Sequence, residues 1–100
     1  IVKKDINKDQ SIRLDEIKYI ESLSDYVKII TTKVEFTTKE RISNLEEALP
    51  QKFFRVHRSF IVNQDCISAF SSSRINLGEI EIPVGRKYKS AAMKRLLPSD

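Results

Sequence analysis

The chain has 100 residues, a formal net charge of +4 and a single cysteine, Cys66. That is room for one domain with a modest core and not for two. With 40% apolar and 32% charged residues, it reads as globular, which excludes a disordered segment. One cysteine likewise excludes an internal disulfide and a cysteine-based zinc cluster.

No apolar run approaches the roughly 20 residues that a bilayer span requires. The opening Ile1-Val2-Lys3-Lys4-Asp5 carries no signal-peptide apolar core, so a cytoplasmic domain is expected. In chain order, Ile12 and Leu14 alternate, Lys18-Tyr19-Ile20-Glu21 reads as extended, and Val27/Ile29 and Val34/Phe36 alternate again. Such period-two patterning with β-branched and aromatic residues predicts strands. Ser43-Asn44-Leu45-Glu46 has the form of a capping box, with Ser43 as N-cap. Leu45 and Leu49 would share a helical face that Pro50 ends.

Phe53-Phe54-Arg55-Val56 and Phe60-Ile61-Val62 then flank a polar His57-Arg58-Ser59 step, which predicts two buried strands joined by an exposed turn. Asn63 is expected to cap a turn toward Asp65. Ile75/Leu77 and Ile80/Ile82/Val84 form a further strand pair, with a hairpin turn at Leu77-Gly78-Glu79. A second helix is predicted over residues 87–97, with Tyr88, Ala92 and either Arg95 or Leu96 inward and Lys87, Lys94 and Arg95 toward solvent. The fold class is therefore mostly β. About ten short, mainly antiparallel strands and two short helices would form an elongated sandwich.

Charge is unevenly placed along this pattern. Residues 1–50 hold nine Lys/Arg against ten Asp/Glu, whereas residues 51–100 hold nine against four. Residues 51–64 and 83–97 contain no acid at all. A one-sided cationic balance is the footprint of a polyanionic partner. Within these stretches Arg58 offers a planar fork that can bond guanine O6 and N7 together, and Ser59 can bond a phosphate oxygen. His57 is read as satisfying backbone groups of its own turn. Tyr19, Phe54, Phe60 and Val62 are assigned to the core; eight aromatic residues make a poor stacking surface for single strands.

Three rival classes compete with this reading. An enzyme using His57 with Ser59 or Asp65 would lack a phosphate loop, a recognisable carboxylate pair and a metal-ligand set. A helix-turn-helix reader needs a helix just before its recognition helix, but residues 79–84 alternate like a strand. A protein-interaction or RNA-binding module on the same fold is the remaining alternative, against which the retained Arg58, Arg86 and Lys87 argue.

Five segments in register resemble the LytTR DNA-binding domain of bacterial response regulators. They are Asp15-Glu16-Ile17-Lys18-Tyr19-Ile20-Glu21-Ser22, Ser24-Asp25-Tyr26-Val27-Lys28-Ile29, the Leu45–Leu49 helix, the long run from Phe53 to Asn63, and Ile82-Pro83-Val84-Gly85-Arg86-Lys87-Tyr88. Any one is weak; five in order are specific. Gly85 stands where the family often has Ser. The resemblance implies a β fold that enters successive major grooves of double-stranded DNA by loops. It assigns base contacts to Tyr26, Val27, Lys28, Arg58 and Arg86, and backbone contacts to Ser59, Lys87, Lys89 and His57. It also implies one domain over residues 1–100, cut from a longer two-component regulator with an N-terminal receiver. Such a domain would be a monomer that pairs on direct repeats, without metal or other cofactor.

Overall fold

The alternating runs become strands because each has one apolar face to bury, and the two faces of the central strands are buried against different partners. In a computed structural model, which describes residues 13–97, the strands are β1 (Ile17–Leu23), β2 (Tyr26–Thr31), β3 (Glu35–Lys39), β4 (Phe53–His57), β5 (Phe60–Asn63), β6 (Ala69–Phe70), β7 (Arg74–Leu77) and β8 (Ile80–Pro83). Helix α1 (Ile42–Ala48) lies between β3 and β4, and α2 (Lys89–Leu96) follows β8. One sheet has the order β3-β2-β1-β5-β4 and the other β6-β7-β8, with every pairing antiparallel. The molecule extends over 44 × 24 × 23 Å, so it is elongated as expected.

Successive residues of a strand point to opposite faces, and the core divides accordingly. Phe53 and Ile61 join Ile17, Ile20, Val27 and Ile29 beneath Ile42 and Leu45 of α1. Their neighbours Phe54, Val56 and Val62 join Ile75, Leu77, Ile82 and Ala92 on the other face, under the small sheet and α2. Ile17 and Ile20 are three apart, yet they share a face. The register shift between Ile17 and Tyr19 supplies the extra residue that turns both inward. Tyr19 and Phe60 are half-buried and pack on the second cluster with Cys66.

Several expectations are corrected. Eight strands stand among the described residues where about ten were expected. Leu14 belongs to a 3-10 turn, Leu14–Glu16, and its proposed partner Ile12 lies outside the described residues. Val34 precedes β3 and is 49% exposed. The capping box does not form: Arg41 is the N-cap of α1 without a side-chain bond, and Ser43 sits inside the helix. Burial of Ile42 explains the shift, because Ile42, Leu45 and Leu49 then lie along one helical face. Pro50 does end the helix, with Leu49 in the extended region at ψ 153°. Residues 86–88 form a separate 3-10 turn, so α2 starts two residues later than predicted.

The β7–β8 turn places Gly78 at φ +67° with open space around it. Gly78→Ala should therefore cost about 1 kcal/mol through backbone strain alone, read as a lower urea midpoint with an unchanged m-value.

Burial pushes the Tyr19 hydroxyl above its usual range, helped by Glu21 and Glu35. Burial likewise pushes up the Cys66 thiol, with Asp65 adding to the rise and Lys18 and Lys52 opposing it. Both groups stay neutral in the folded chain at pH values where the unfolded chain ionises. Their contribution is thus complete below the ordinary thiol and phenol ranges and is lost as pH rises through the raised values. Stability measured from pH 7 to pH 11 should fall more steeply for the wild type than for Tyr19→Phe once pH passes about 9.5.

Candidate nucleic-acid interface

Three segments meet at one end of the five-stranded sheet. β1 runs toward the Ser24-Asp25 turn, and β5 runs antiparallel beside it with Phe60 opposite Glu21. The Ser22 amide donates to the Ser59 carbonyl at 2.8 Å. That contact sets the Arg58-Ser59 turn at the same end as the Ser24-Asp25 turn. A third segment arrives when the Gly85 amide donates to the Val56 carbonyl at 2.7 Å. His57, Arg58, Gly85, Arg86, Lys87 and Tyr88 consequently line one shallow depression of about 280 Å³. A side chain at Gly85 would put its Cβ 3.3 Å from the Tyr88 ring and 3.5 Å from His57 Cα. The first contact is tight and lies within the Arg86 turn itself, whereas the contact to the neighbouring turn is an ordinary van der Waals one.

The turn that carries Arg58 is unusual. It is a two-residue hairpin connection, a class that generally uses positive φ. Among the described residues, however, only Ser24 and Gly78 have positive φ. The register shift between Arg55 and His57 supplies the twist instead. His57 Nδ1 accepts the Ser59 amide at 3.1 Å, and its ring meets Phe60 edge-on at 5.5 Å. His57 does satisfy its own turn, as read from sequence; with Nδ1 accepting, Nε2 is the ring's donor.

At the neighbouring tip, β2 separates the three residues that sequence placed together. Tyr26 is exposed and Lys28 is half-buried, but Val27 is fully buried in the core under α1. The expected base contact by the Val27 side chain is withdrawn, since strand alternation turns it inward. Lys28 stands between Glu21 and Thr37 on the neighbouring strands, so it lies behind the tip.

The acid-free C-terminal stretch is also divided. Arg86, Lys87 and Lys89 are exposed near the His57 turn. Arg95 is exposed, as expected, with Leu96 the inward residue, and it bonds the Gln51 carbonyl at 2.8 Å and stacks 4.7 Å from the Phe54 ring centre, toward the far end of β4. Among the described residues, Arg13, Lys33, Lys52, Arg55 and Arg74 are held in ion pairs. Arg58, Arg86, Lys87 and Lys89 are in none of these pairs, so their charge is available to an anion.

Sequence reasoning gave Arg55 no role, yet the structure links the Arg58 turn, α1 and Tyr88 through it. Its guanidinium bonds the His57 carbonyl at 3.0 Å, the Arg58 carbonyl, and Glu46 of α1 at 2.7 Å. It also lies 5.6 Å from the Tyr88 ring centre. The available signal was a lone arginine at an inward-alternating position between Phe53 and His57.

The model of the LytTr DNA-binding domain family matches residues 8–97. The chain belongs to the LytTR family of DNA-binding domains. This LytTR domain is 33% identical to the sensory transduction protein LytT of Bacillus anthracis, over 86% of the chain and 37% of that protein; the Bacillus cereus protein of the same name matches equally. The chain thus spans 37% of the length of these relatives. A solved LytTr DNA-binding domain from Bacillus cereus superposes with a TM-score of 0.76 at 27% identity, covering 85% of this chain and 84% of that one. DNA binding is accordingly the activity of this family of domains. Among the described residues no helix is long and apolar enough to cross a membrane. Nor is any group of three His, Cys, Asp or Glu side chains among them placed to hold a metal ion.

Proposed function

We propose that this LytTR domain reads double-stranded DNA by sequence, as the output module of a bacterial transcription regulator, with hairpin tips rather than a helix entering the major groove. The observation that carries this reading is the convergence of Arg58 and Arg86 in one depression, with neither side chain in an ion pair among the described residues. Both project from turns anchored to strands, so the backbone that presents them is ordered before DNA binds. Their planar forks suit the guanine edge. Tyr26, with Lys28 behind it, supplies a second reading point from the neighbouring tip. Ser59, Lys87, Lys89 and the His57 Nε2 proton hold phosphates and set the register.

In the whole protein a receiver domain precedes this module in the cytoplasm, and monomers pair on direct repeats. The greater length of the LytT relatives and the phrase "sensory transduction" in their name support a further signalling domain in the whole protein. Selection of bound duplexes from a random pool tests the reading, followed by comparison of the selected duplex with duplex RNA and single strands. Recovery of a defined DNA motif is the expected result. Equal binding of duplex RNA, or no enriched motif, overturns it.

Lys87→Ala and Lys89→Ala should weaken the selected and scrambled duplexes by similar factors. Each should lower the slope of log affinity against log salt by about one unit. Titrations at three or more salt concentrations measure both effects.

A further inference from the structure

We infer that Arg55 is a positioning residue for DNA reading: it fixes the Arg58 turn and the Arg86 turn in one mutual geometry without touching DNA itself. The inference rests on the reading of Arg58 and Arg86 proposed above. Its basis is the set of partners gathered by one guanidinium. Nε and Nη2 bond two successive carbonyls, those of His57 and Arg58, on either side of the peptide that presents the Arg58 side chain. Nη1 is tied to Glu46 Oε1 at 2.7 Å, which anchors the group to α1. Its Cζ lies 5.6 Å from the ring centre of Tyr88, the residue that closes the Arg86 turn through the bond from its own amide to the Gly85 carbonyl at 2.9 Å.

The side chain is only 13% exposed. Each of its three nitrogens already bonds inside the protein, which leaves it poorly placed for a phosphate and well placed as a bracket. A guanidinium suits this role, because its five donors lie in a rigid plane that can serve three acceptors at once while the face stacks on an aromatic ring. A lysine ammonium keeps the charge but not that geometry.

The test compares Arg55→Lys, Glu46→Gln, Arg58→Ala and Arg86→Ala in the 100-residue chain. Each variant is titrated with the duplex recovered by selection and with a scrambled duplex of equal length, at several salt concentrations. Thermal unfolding is recorded in parallel. For Arg55→Lys, affinity for the selected duplex is expected to fall about tenfold, as for a lost geometric constraint of about 1.4 kcal/mol. Its affinity for the scrambled duplex and its salt slope should stay at wild-type values, since the charge is retained and meets no phosphate. The loss should shrink in the Arg58→Ala background, because two residues acting as a unit are not additive.

Glu46→Gln keeps Arg55 and its carbonyl bonds but weakens the anchor. It should show the same selective loss in smaller measure, and it carries the test if Arg55→Lys does not fold. An equal loss on both duplexes, a salt slope lowered by one unit, or no loss with either variant overturns the positioning role. If Arg58→Ala and Arg86→Ala themselves bind the selected duplex like wild type, the base-reading assignment has failed instead. Loss with those two and none with Arg55→Lys and Glu46→Gln rejects the bracket alone.

Discussion

Arg58→Ala and Arg86→Ala are each expected to weaken binding to the selected duplex by about 1–3 kcal/mol, a loss of roughly 5- to 150-fold. Discrimination should relax at the base pairs each fork contacts, while binding to unrelated duplex changes far less. Arg58 is exposed and takes part in none of the ion pairs among the described residues, and its carbonyl remains bonded to Arg55 after truncation. The substitution should therefore leave stability within about 0.5 kcal/mol of wild type. Separation of affinity from stability marks a reading residue. Because the two arginines line one depression, the double variant should lose less than the two single effects combined. Arg58→Lys should recover nonspecific affinity and not selectivity, since an ammonium cannot bond two acceptors of one guanine edge in a plane. Wild-type binding by both alanine variants would place the reading surface elsewhere.

The largest effect on stability is expected at Asn63. This side chain is fully buried, and both of its polar ends are used. Nδ2 donates to the Ile17 carbonyl at 2.8 Å, and Oδ1 accepts the Asp65 amide at 2.9 Å. It thereby ties the end of β5 to the start of β1 and caps the turn that follows. Asn63→Leu keeps the branched outline of the side chain, adds bulk and removes both bonds. The Ile17 carbonyl loses its Asn63 donor, and the Cys66 thiol, at 4.0 Å, is too distant to replace it. An unsatisfied buried polar group costs about 1–3 kcal/mol, so losing both bonds should cost about 2–4 kcal/mol. Against the few kcal/mol by which small domains are stable, that should lower the unfolding midpoint on the order of 10–25 °C. Asn63→Asp should be worse than Asn63→Leu, because it sets a carboxylate against the Ile17 carbonyl oxygen. A midpoint within about 3 °C of wild type for Asn63→Leu, less than a 1 kcal/mol change produces in a domain of this size, would show that the tie contributes little.

Much of the architecture is legible in the amino-acid order. Alternation in Val27/Ile29, Ile75/Leu77 and Ile80/Ile82, and the Gly78 turn, identify strands and a hairpin because these signals act between near neighbours in the chain. The bond from the Asp65 amide to Asn63 and the one from the Ser59 amide to His57 Nδ1 follow from turn chemistry in the same way, each spanning two residues. Where local signals compete with burial, they lose. The Ser43 capping box gives way because Ile42 is driven into the core, and the helix start follows it. Leu14 turns instead of extending, and Val27 leaves the expected surface for the core.

What the amino-acid order determined by itself is the class of fold, the family, and the two basic turns that carry Arg58 and Arg86. What only the tertiary structure decided is how those turns are joined. The bond from the Gly85 amide to the Val56 carbonyl and the Arg55 bracket both link segments distant in sequence. Likewise, only packing showed that Arg95, though exposed, is held beside Gln51 and Phe54 while Arg86 lies beside the His57 turn. The physical reason is the same in each case. Periodicity and turn chemistry act over a few residues, whereas the partner of a buried guanidinium or a tight glycine is chosen by the packing of two sheets.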